Sequence, residues 1–191
     1  MLETHLIFFG CWMVYYALHS FLAADAVKAK MPLSAQVYRL LYGFVSGVLL
    51  IYIIILGAVQ PTFFVITPGS NTKVVALSLT VVGVFVVKRA FRNYSFREFM
   101  GFKKEANSQL KTDGLQARMR HPLYSGTILI VIGFVFFSPT MINLTTLISM
   151  LVYLPVGIWL EEKKLIKIFG QAYENYRKEV PALFPNPFKR K

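Results

Sequence analysis

The chain has 191 residues, 55% of them hydrophobic, and 21 Lys and Arg against 9 Asp and Glu give a formal net charge of +12. Its single cysteine, Cys11, excludes a disulfide framework and a cysteine-based metal site. Apolar runs of about 17–25 residues recur, the length needed to cross roughly 30 Å of hydrocarbon. The expected fold class is therefore all-α integral membrane, with about five transmembrane helices and a C-terminal amphipathic helix. Such a basic chain would suggest nucleic acid if it were soluble. Here the basic residues lie in loops beside the spans, where they set topology and meet anionic lipid headgroups. Membrane lipids, and no nucleic acid, are the expected partners.

The first basic residue is Lys28, so the N-terminus has no basic n-region and the run from Leu6 reads as a retained span, not a signal peptide. Span one is expected over residues 2–24, with His19-Ser20 near its end and Asp25, Lys28 and Lys30 following. Pro32 breaks the helix and Ser34 is placed to cap the next one. Span two covers residues 37–59, and its Gly43 and Gly47 have the spacing that permits close helix approach. Pro68-Gly69-Ser70-Asn71 is a turn cluster. Span three covers 72–87 and stops at Lys88-Arg89, with a surface extension through Tyr94 carrying Phe91, Tyr94, Phe96 and Phe99 near the interface. Residues 100–118 read as a polar loop whose clearest turn is Asp113-Gly114.

Span four covers 124–137, Ser138-Pro139-Thr140 makes a turn, and span five covers 142–160. Pro155 lies inside span five, so one carbonyl loses its helical donor, and the position is expected to face protein or a polar cavity. The tail over 161–178 is amphipathic. Leu165, Ile168, Phe169, Ala172, Tyr173 and Tyr176 share one side, and Lys163, Lys164, Lys167, Glu174 and Lys178 the other. Gly170 lowers its helix propensity, and Pro181, Pro185 and Pro187 forbid further helix. The expected organisation is a single membrane domain over 1–191: spans one to three in 1–99, a loop over 100–121, a helical hairpin over 122–160 and the tail over 161–191. With five spans and the N-terminus outside, every Lys and Arg except Lys73 falls in cytoplasmic segments. That places the 88–121 loop and the C-terminus in the cytoplasm. A four-span arrangement, with 122–160 partly re-entrant, is the alternative.

The candidate chemistry gathers where charge gives way to apolar sequence. Residues 88–121 are crowded with charge, no charged residue occurs from Pro122 to Leu160, and Glu161-Glu162 follow at once. Arg120 offers a permanent planar fork for a carboxylate or phosphate. His121 can donate, accept or stack. Pro122 restrains it to extended backbone before a helix begins, Tyr124 falls on the first turn of that helix, and Gly126 leaves room for a ligand or a neighbouring helix. An interfacial belt of Arg, His and Tyr at a helix end is the plainer alternative. Glu161 and Glu162 diverge by about 100° around a helix, so one of them is expected to point into a site. A tight hairpin brings that carboxylate to Arg120, His121 and Tyr124. The alternative is a solvated helix turn paired with nearby lysines. His19 near the end of a span is a further candidate, or else a histidine hydrogen-bonded within the bundle. The three histidines and few carboxylates show no metal-ligand spacing, so no metal is expected.

Arg120-His121-Pro122-Leu123-Tyr124-Ser125-Gly126, the apolar hairpin, Glu161-Glu162, and then Leu165, Phe169-Gly170, Tyr173, Tyr176 and Val180-Pro181 resemble the isoprenylcysteine carboxyl methyltransferase and phospholipid methyltransferase superfamily. Its signature is an Arg-His-Pro-x-Tyr motif, a hydrophobic stretch and a Glu-Glu pair. The likeness covers roughly residues 111–185. The front half, with Leu18-His19-Ser20-Phe21-Leu22-Ala23 and Lys28, is similar to bacterial members, including denitrification-associated membrane proteins and methanethiol methyltransferases. The resemblance implies a membrane methyltransferase using S-adenosylmethionine on a small or lipidic acceptor: an isoprenylcysteine carboxylate, a thiol or a lipid headgroup. It implies His121, Tyr124, Glu161 and Glu162 around the cofactor, with Gly126 beside them and the tail helix as roof. Arg120 would meet a cofactor carboxylate or a substrate anion, and His19 or His121 would serve as base for a thiol. A membrane reductase of the sterol-reductase type, using a nicotinamide cofactor, is one alternative. A small transporter or partner-binding subunit is another.

Overall fold

The computed structural model describes residues 2–92, 102 and 109–185. The expected extension through Tyr94 with Phe96 and Phe99, the middle of the polar loop and Pro187 lie outside the described residues. Among the described residues the structure is helical: α1 (Leu2–Ala23), α2 (Asp25–Lys28), α3 (Ala35–Ala58), α4 (Ser70–Ala90), α5 (Pro122–Phe137), α6 (Met141–Phe169) and α7 (Gln171–Glu179). α1, α3, α4 and α6 are long and apolar enough to cross a membrane, and α5 is a shorter apolar helix of 16 residues. At 1.5 Å per residue α5 reaches about 24 Å, short of a full hydrocarbon thickness. Leu6, Ile7, Phe44, Val74 and Phe85 all stand exposed, an arrangement suited to lipid and costly in water. The chain is a multi-pass integral membrane protein.

The chain divides into two compact units. The first comprises α1 to α3 and the start of α6 through Pro155. Ser34 caps α3, its Oγ accepting the Val37 N–H at 3.3 Å. Phe8, Trp12, Ile53 and Ile142 form the core, and the Phe8 ring lies so close to Gly57 that an added Cβ would stand 2.7 Å from it. The first turn of α6 finds partners for its free N–H groups. Met141 donates to the Phe63 carbonyl at 2.9 Å, Ile142 to Thr62 Oγ1 at 3.1 Å and Asn143 to Thr140 Oγ1 at 3.4 Å. Gly43 and Gly47 look onto open space among the described residues, so their spacing does not mark a helix contact here.

The second unit comprises α4, α5, α6 from Val156 onward, and α7. α4 and α5 pack antiparallel through small residues. An added Cβ at Gly126 would meet Val87 Cγ2 at 2.6 Å and the Gly83 carbonyl oxygen at 2.8 Å, and one at Gly133 would meet the Ala76 carbonyl oxygen at 2.8 Å. Backbones approach this closely only where side chains are nearly absent. α6 continues past the expected end of span five and takes up the first half of the tail. It stops at Gly170, whose φ of 55° and ψ of −134° are open essentially to glycine alone. The expected tail helix is therefore two pieces in different phase. Leu165, Ile166 and Phe169 pack with Tyr173, Tyr176 and Val180, whereas Ile168 and Ala172 are exposed. Pro155 is exposed among the described residues, as is Leu151, whose carbonyl loses its donor, so no packed protein faces the position there.

Candidate functional site

The site is built where α5 begins. Pro122 stands at its first helical position, where its missing N–H is no loss and its fixed φ suits the helix. His121 precedes it, and its carbonyl accepts from the Ser125 N–H at 3.1 Å and Ser125 Oγ at 3.2 Å. Arg120 and His121 cannot use their own N–H groups in the helix. Arg120 donates to the Pro181 carbonyl and His121 to the Ala182 carbonyl, each at 2.9 Å. The single Ser125 hydroxyl proton is shared between the His121 carbonyl and the nearer Leu183 carbonyl, 2.6 Å from Oγ. The segment after α7 is thus laid along the start of α5.

α6 brings the carboxylates to this place. Arg120 donates from Nε to Glu162 Oε1 at 2.8 Å, and its Nη2 lies 2.7 Å from the same oxygen. Its Nη1 donates to the Arg177 carbonyl at 2.9 Å and to the Val180 carbonyl. His121 lies within reach of both acids: Nε2 is 3.1 Å from Glu162 Oε1, and Nδ1 is 3.5 Å from Glu161 Oε2. Arg177 Nη1 stands 3.6 Å from Glu162 Oε2. Glu162 is 7% exposed and His121 4%, whereas the Glu161 side chain is 44% exposed. Burial alone lowers the His121 imidazole, but the hydrogen bonds and attraction of Glu161 and Glu162 outweigh it and raise it above the ordinary histidine value. The Tyr124 ring stacks on His121 at 5.5 Å between centroids.

The floor is aromatic. Tyr173 and Tyr176 project from one face of α7 into the apolar cluster with Val180. The Tyr176 hydroxyl donates to the Gln116 carbonyl at 2.6 Å. The Tyr173 residue is 2% exposed and its hydroxyl has no hydrogen-bond partner among the described residues. Burial, then the neighbouring Glu162, pushes that phenol above its ordinary value.

The structure thus brings together Arg120, His121, Tyr124, Glu161 and Glu162. Both carboxylates reach His121, although one was expected to turn away, because the flat imidazole presents a nitrogen to each of two adjacent helix positions. Arg120 directs all three nitrogens at protein atoms, so its immediate work is to hold Glu162 and the segment after α7. Of the two uses open to Gly126, the space is filled by a neighbouring helix, α4. His19 belongs to the first unit. It is exposed, its Nδ1 lies 3.0 Å from Ser46 Oγ, and its ring faces those of Tyr15 and Tyr42. Sequence reasoning missed Arg177 and the carbonyls of residues 180–183. The available signal was position: Arg177 follows Tyr173 by four residues and so shares its face. Chemically, the cluster offers one accessible carboxylate, one buried ion-paired carboxylate and a flat ring pair. That set suits a ligand carrying both hydroxyl or ammonium donors and a planar group.

The family model described as NnrU protein matches residues 7–184 of the chain. Over 112 residues the chain is 33% identical to a protein of Crocosphaera subtropica named methanethiol S-methyltransferase, covering 56% of this chain and 42% of that protein. Over 129 residues it is 30% identical to a protein of Schizosaccharomyces pombe named protein-S-isoprenylcysteine O-methyltransferase, covering 65% of this chain and 54% of that one. A relative in Arabidopsis thaliana named protein-S-isoprenylcysteine O-methyltransferase B is 29% identical over 119 residues, covering 57% of each chain. The chain therefore spans about half the length of the curated relatives it matches. No solved structure matches it significantly.

Proposed function

We propose, from the premise that this chain belongs to the NnrU protein family, that it is a membrane-embedded methyltransferase using S-adenosylmethionine on a small or lipidic acceptor. The observation that carries this reading is the buried His121 bracketed by Glu162 and a solvent-accessible Glu161. The names of the relatives as methyltransferases support it. Their two printed acceptor types, a thiol and an isoprenylcysteine, leave the acceptor of this chain as small or lipidic.

The donor set fits the cofactor. S-adenosylmethionine carries an ammonium group, a carboxylate, a ribose diol and a planar adenine. Glu161 is open to accept from ammonium or hydroxyl donors, and the stacked His121 and Tyr124 rings offer a flat face. When bound, the cofactor supplies a methyl group already activated on a sulfonium. The protein then has to align reactants and exclude water. Glu161, His121 and Tyr124 bind and orient. Glu162 fixes the His121 ring, and Arg120 acts through Glu162 as a positioning residue. Gly126 serves by letting α4 close against α5. In the tautomer whose Nδ1–H donates to Ser46 Oγ, His19 keeps Nε2 unprotonated, the nitrogen that would take a proton from a thiol acceptor.

We further infer that the segment between α4 and α5 and the chain from Glu161 onward face the cytoplasm, because together they carry 15 of the 21 Lys and Arg. The test of function is titration of the purified protein in detergent with S-adenosylmethionine. Binding is expected, weakened about ten-fold or more by Tyr124→Ala and by Glu161→Gln. His19→Ala is expected to lower kcat with a thiol acceptor and leave cofactor affinity unchanged. Binding of a nicotinamide dinucleotide in place of S-adenosylmethionine would overturn the reading in favour of a reductase.

A further inference from the structure

Two tyrosines on α7 are both buried and have different fates. The Tyr176 hydroxyl is satisfied by the Gln116 carbonyl at 2.6 Å. Three residues earlier, Tyr173 is even more buried and its hydroxyl has no hydrogen-bond partner among the described residues. Its ring packs in the apolar cluster with Tyr176 and Val180, a place that phenylalanine would fill without stranding a polar atom. A buried hydroxyl without a partner loses its hydration and gains nothing in return. Its position is not arbitrary. Tyr173 lies four residues before Arg177 on one face of α7, and Arg177 Nη1 approaches Glu162 Oε2 at 3.6 Å. Arg120 Nη1 also donates to the Arg177 and Val180 carbonyls, so this end of α7 stands against the cluster already described.

We infer that Tyr173 is a cofactor-binding residue whose free hydroxyl makes its hydrogen bond to a polar atom of bound S-adenosylmethionine. This rests on the reading of the Arg120–Glu162 cluster as a cofactor site and adds to it a residue on α7. The phenol can donate to or accept from the ligand. Bound ligand supplies the partner that the folded chain withholds. The helix that carries Tyr173 is thereby a sensor of occupancy as well as a cover, since its one unsatisfied buried hydroxyl is satisfied only in the loaded protein.

The experiment compares wild type, Tyr173→Phe and Tyr176→Phe in detergent by two readouts. One is the ligand-free thermal midpoint. The other is affinity for S-adenosylhomocysteine, the demethylated cofactor, by calorimetry. Tyr173→Phe is expected to leave the ligand-free midpoint unchanged or raised and to weaken affinity about ten-fold. Tyr176→Phe is expected to lower the ligand-free midpoint, because it removes a bond already made. A Tyr173→Phe midpoint that drops as far as that of Tyr176→Phe would mean that the hydroxyl is satisfied without ligand, and would overturn the inference. So would unchanged affinity in a wild type that binds, which leaves the proposed function standing. Absence of binding by wild type would sink both.

Discussion

Glu161 and Glu162 are adjacent in sequence, yet a single substitution at each has a different expected result. Glu162 is buried and holds Arg120, His121 and Arg177. Glu162→Ala leaves cations buried without a counter-charge and is expected to cost about 3–5 kcal/mol of stability. Glu161→Gln sits at a largely exposed position and is expected to change stability by less than about 1 kcal/mol. Denaturant unfolding in detergent separates the two. The raised His121 value gives the pair a pH signature. Because the folded value lies above the unfolded one of about 6.5, its stabilisation is full below that pH and is lost as pH rises through the folded value. Midpoints measured from about pH 6 to about pH 9 are expected to fall more steeply for wild type than for His121→Asn. At this scale the sequence pointed to Arg120, His121 and the acid pair, because they flank a long uncharged run whose two ends a helical hairpin brings together, although an interfacial belt would show the same residues. It was silent about Arg177, since an arginine on an amphipathic tail looks like any solvated cation. It was equally silent about Tyr173, because spacing marks a buried ring and not an unsatisfied hydroxyl.

Among the helices, glycines divide into those that are filled and those that are not. Gly126 touches Gly83 and Val87 of α4, so Gly126→Leu is expected to destabilise by about 1–3 kcal/mol through overpacking. Gly43 has open space around it, and Gly43→Ala is expected to be neutral or to stabilise by about 0.5–1 kcal/mol through helix propensity. Gly170 has a backbone that other residues avoid, and Gly170→Ala is expected to cost about 1–3 kcal/mol. Thermal unfolding of the three variants checks the ranking. Span positions were readable from apolar runs, and the Ser34 cap from its residue type. The Gly43 and Gly47 spacing is not used for a contact among the described residues, because a motif states which backbones are able to approach and not which ones do. The break at Gly170 was hidden by a periodicity that continues on both sides of it, and the two halves differ only in phase.

For the whole chain, the distribution of charge yields a prediction of sidedness. In a Cys11→Ala background, Ser70→Cys and Lys178→Cys place single thiols at exposed positions at the start of α4 and on α7. A membrane-impermeant maleimide applied to intact cells is expected to label Ser70→Cys and to reach Lys178→Cys only after the membrane is opened. The reverse pattern would reject the inferred orientation. That the chain spans a membrane several times was legible from run length alone. The grouping of α4 with α5 and α7 was not, because it depends on glycine contacts and on carbonyls, which leave little trace in composition. Those carbonyls carry a consequence for how the protein is made. Arg120 precedes Glu162 by 42 residues and Val180 by 60. At about 5–20 residues per second, a ribosome needs about 3–12 s to cover the longer interval. The guanidinium lacks its acid until residue 162 is made and the last of its backbone acceptors until residue 180 follows, and meanwhile it stays hydrated at the membrane surface. α5 therefore enters the bilayer before its own first turn is secured, and the site closes as a late step of biosynthesis, when residues 180–183 arrive to fasten it.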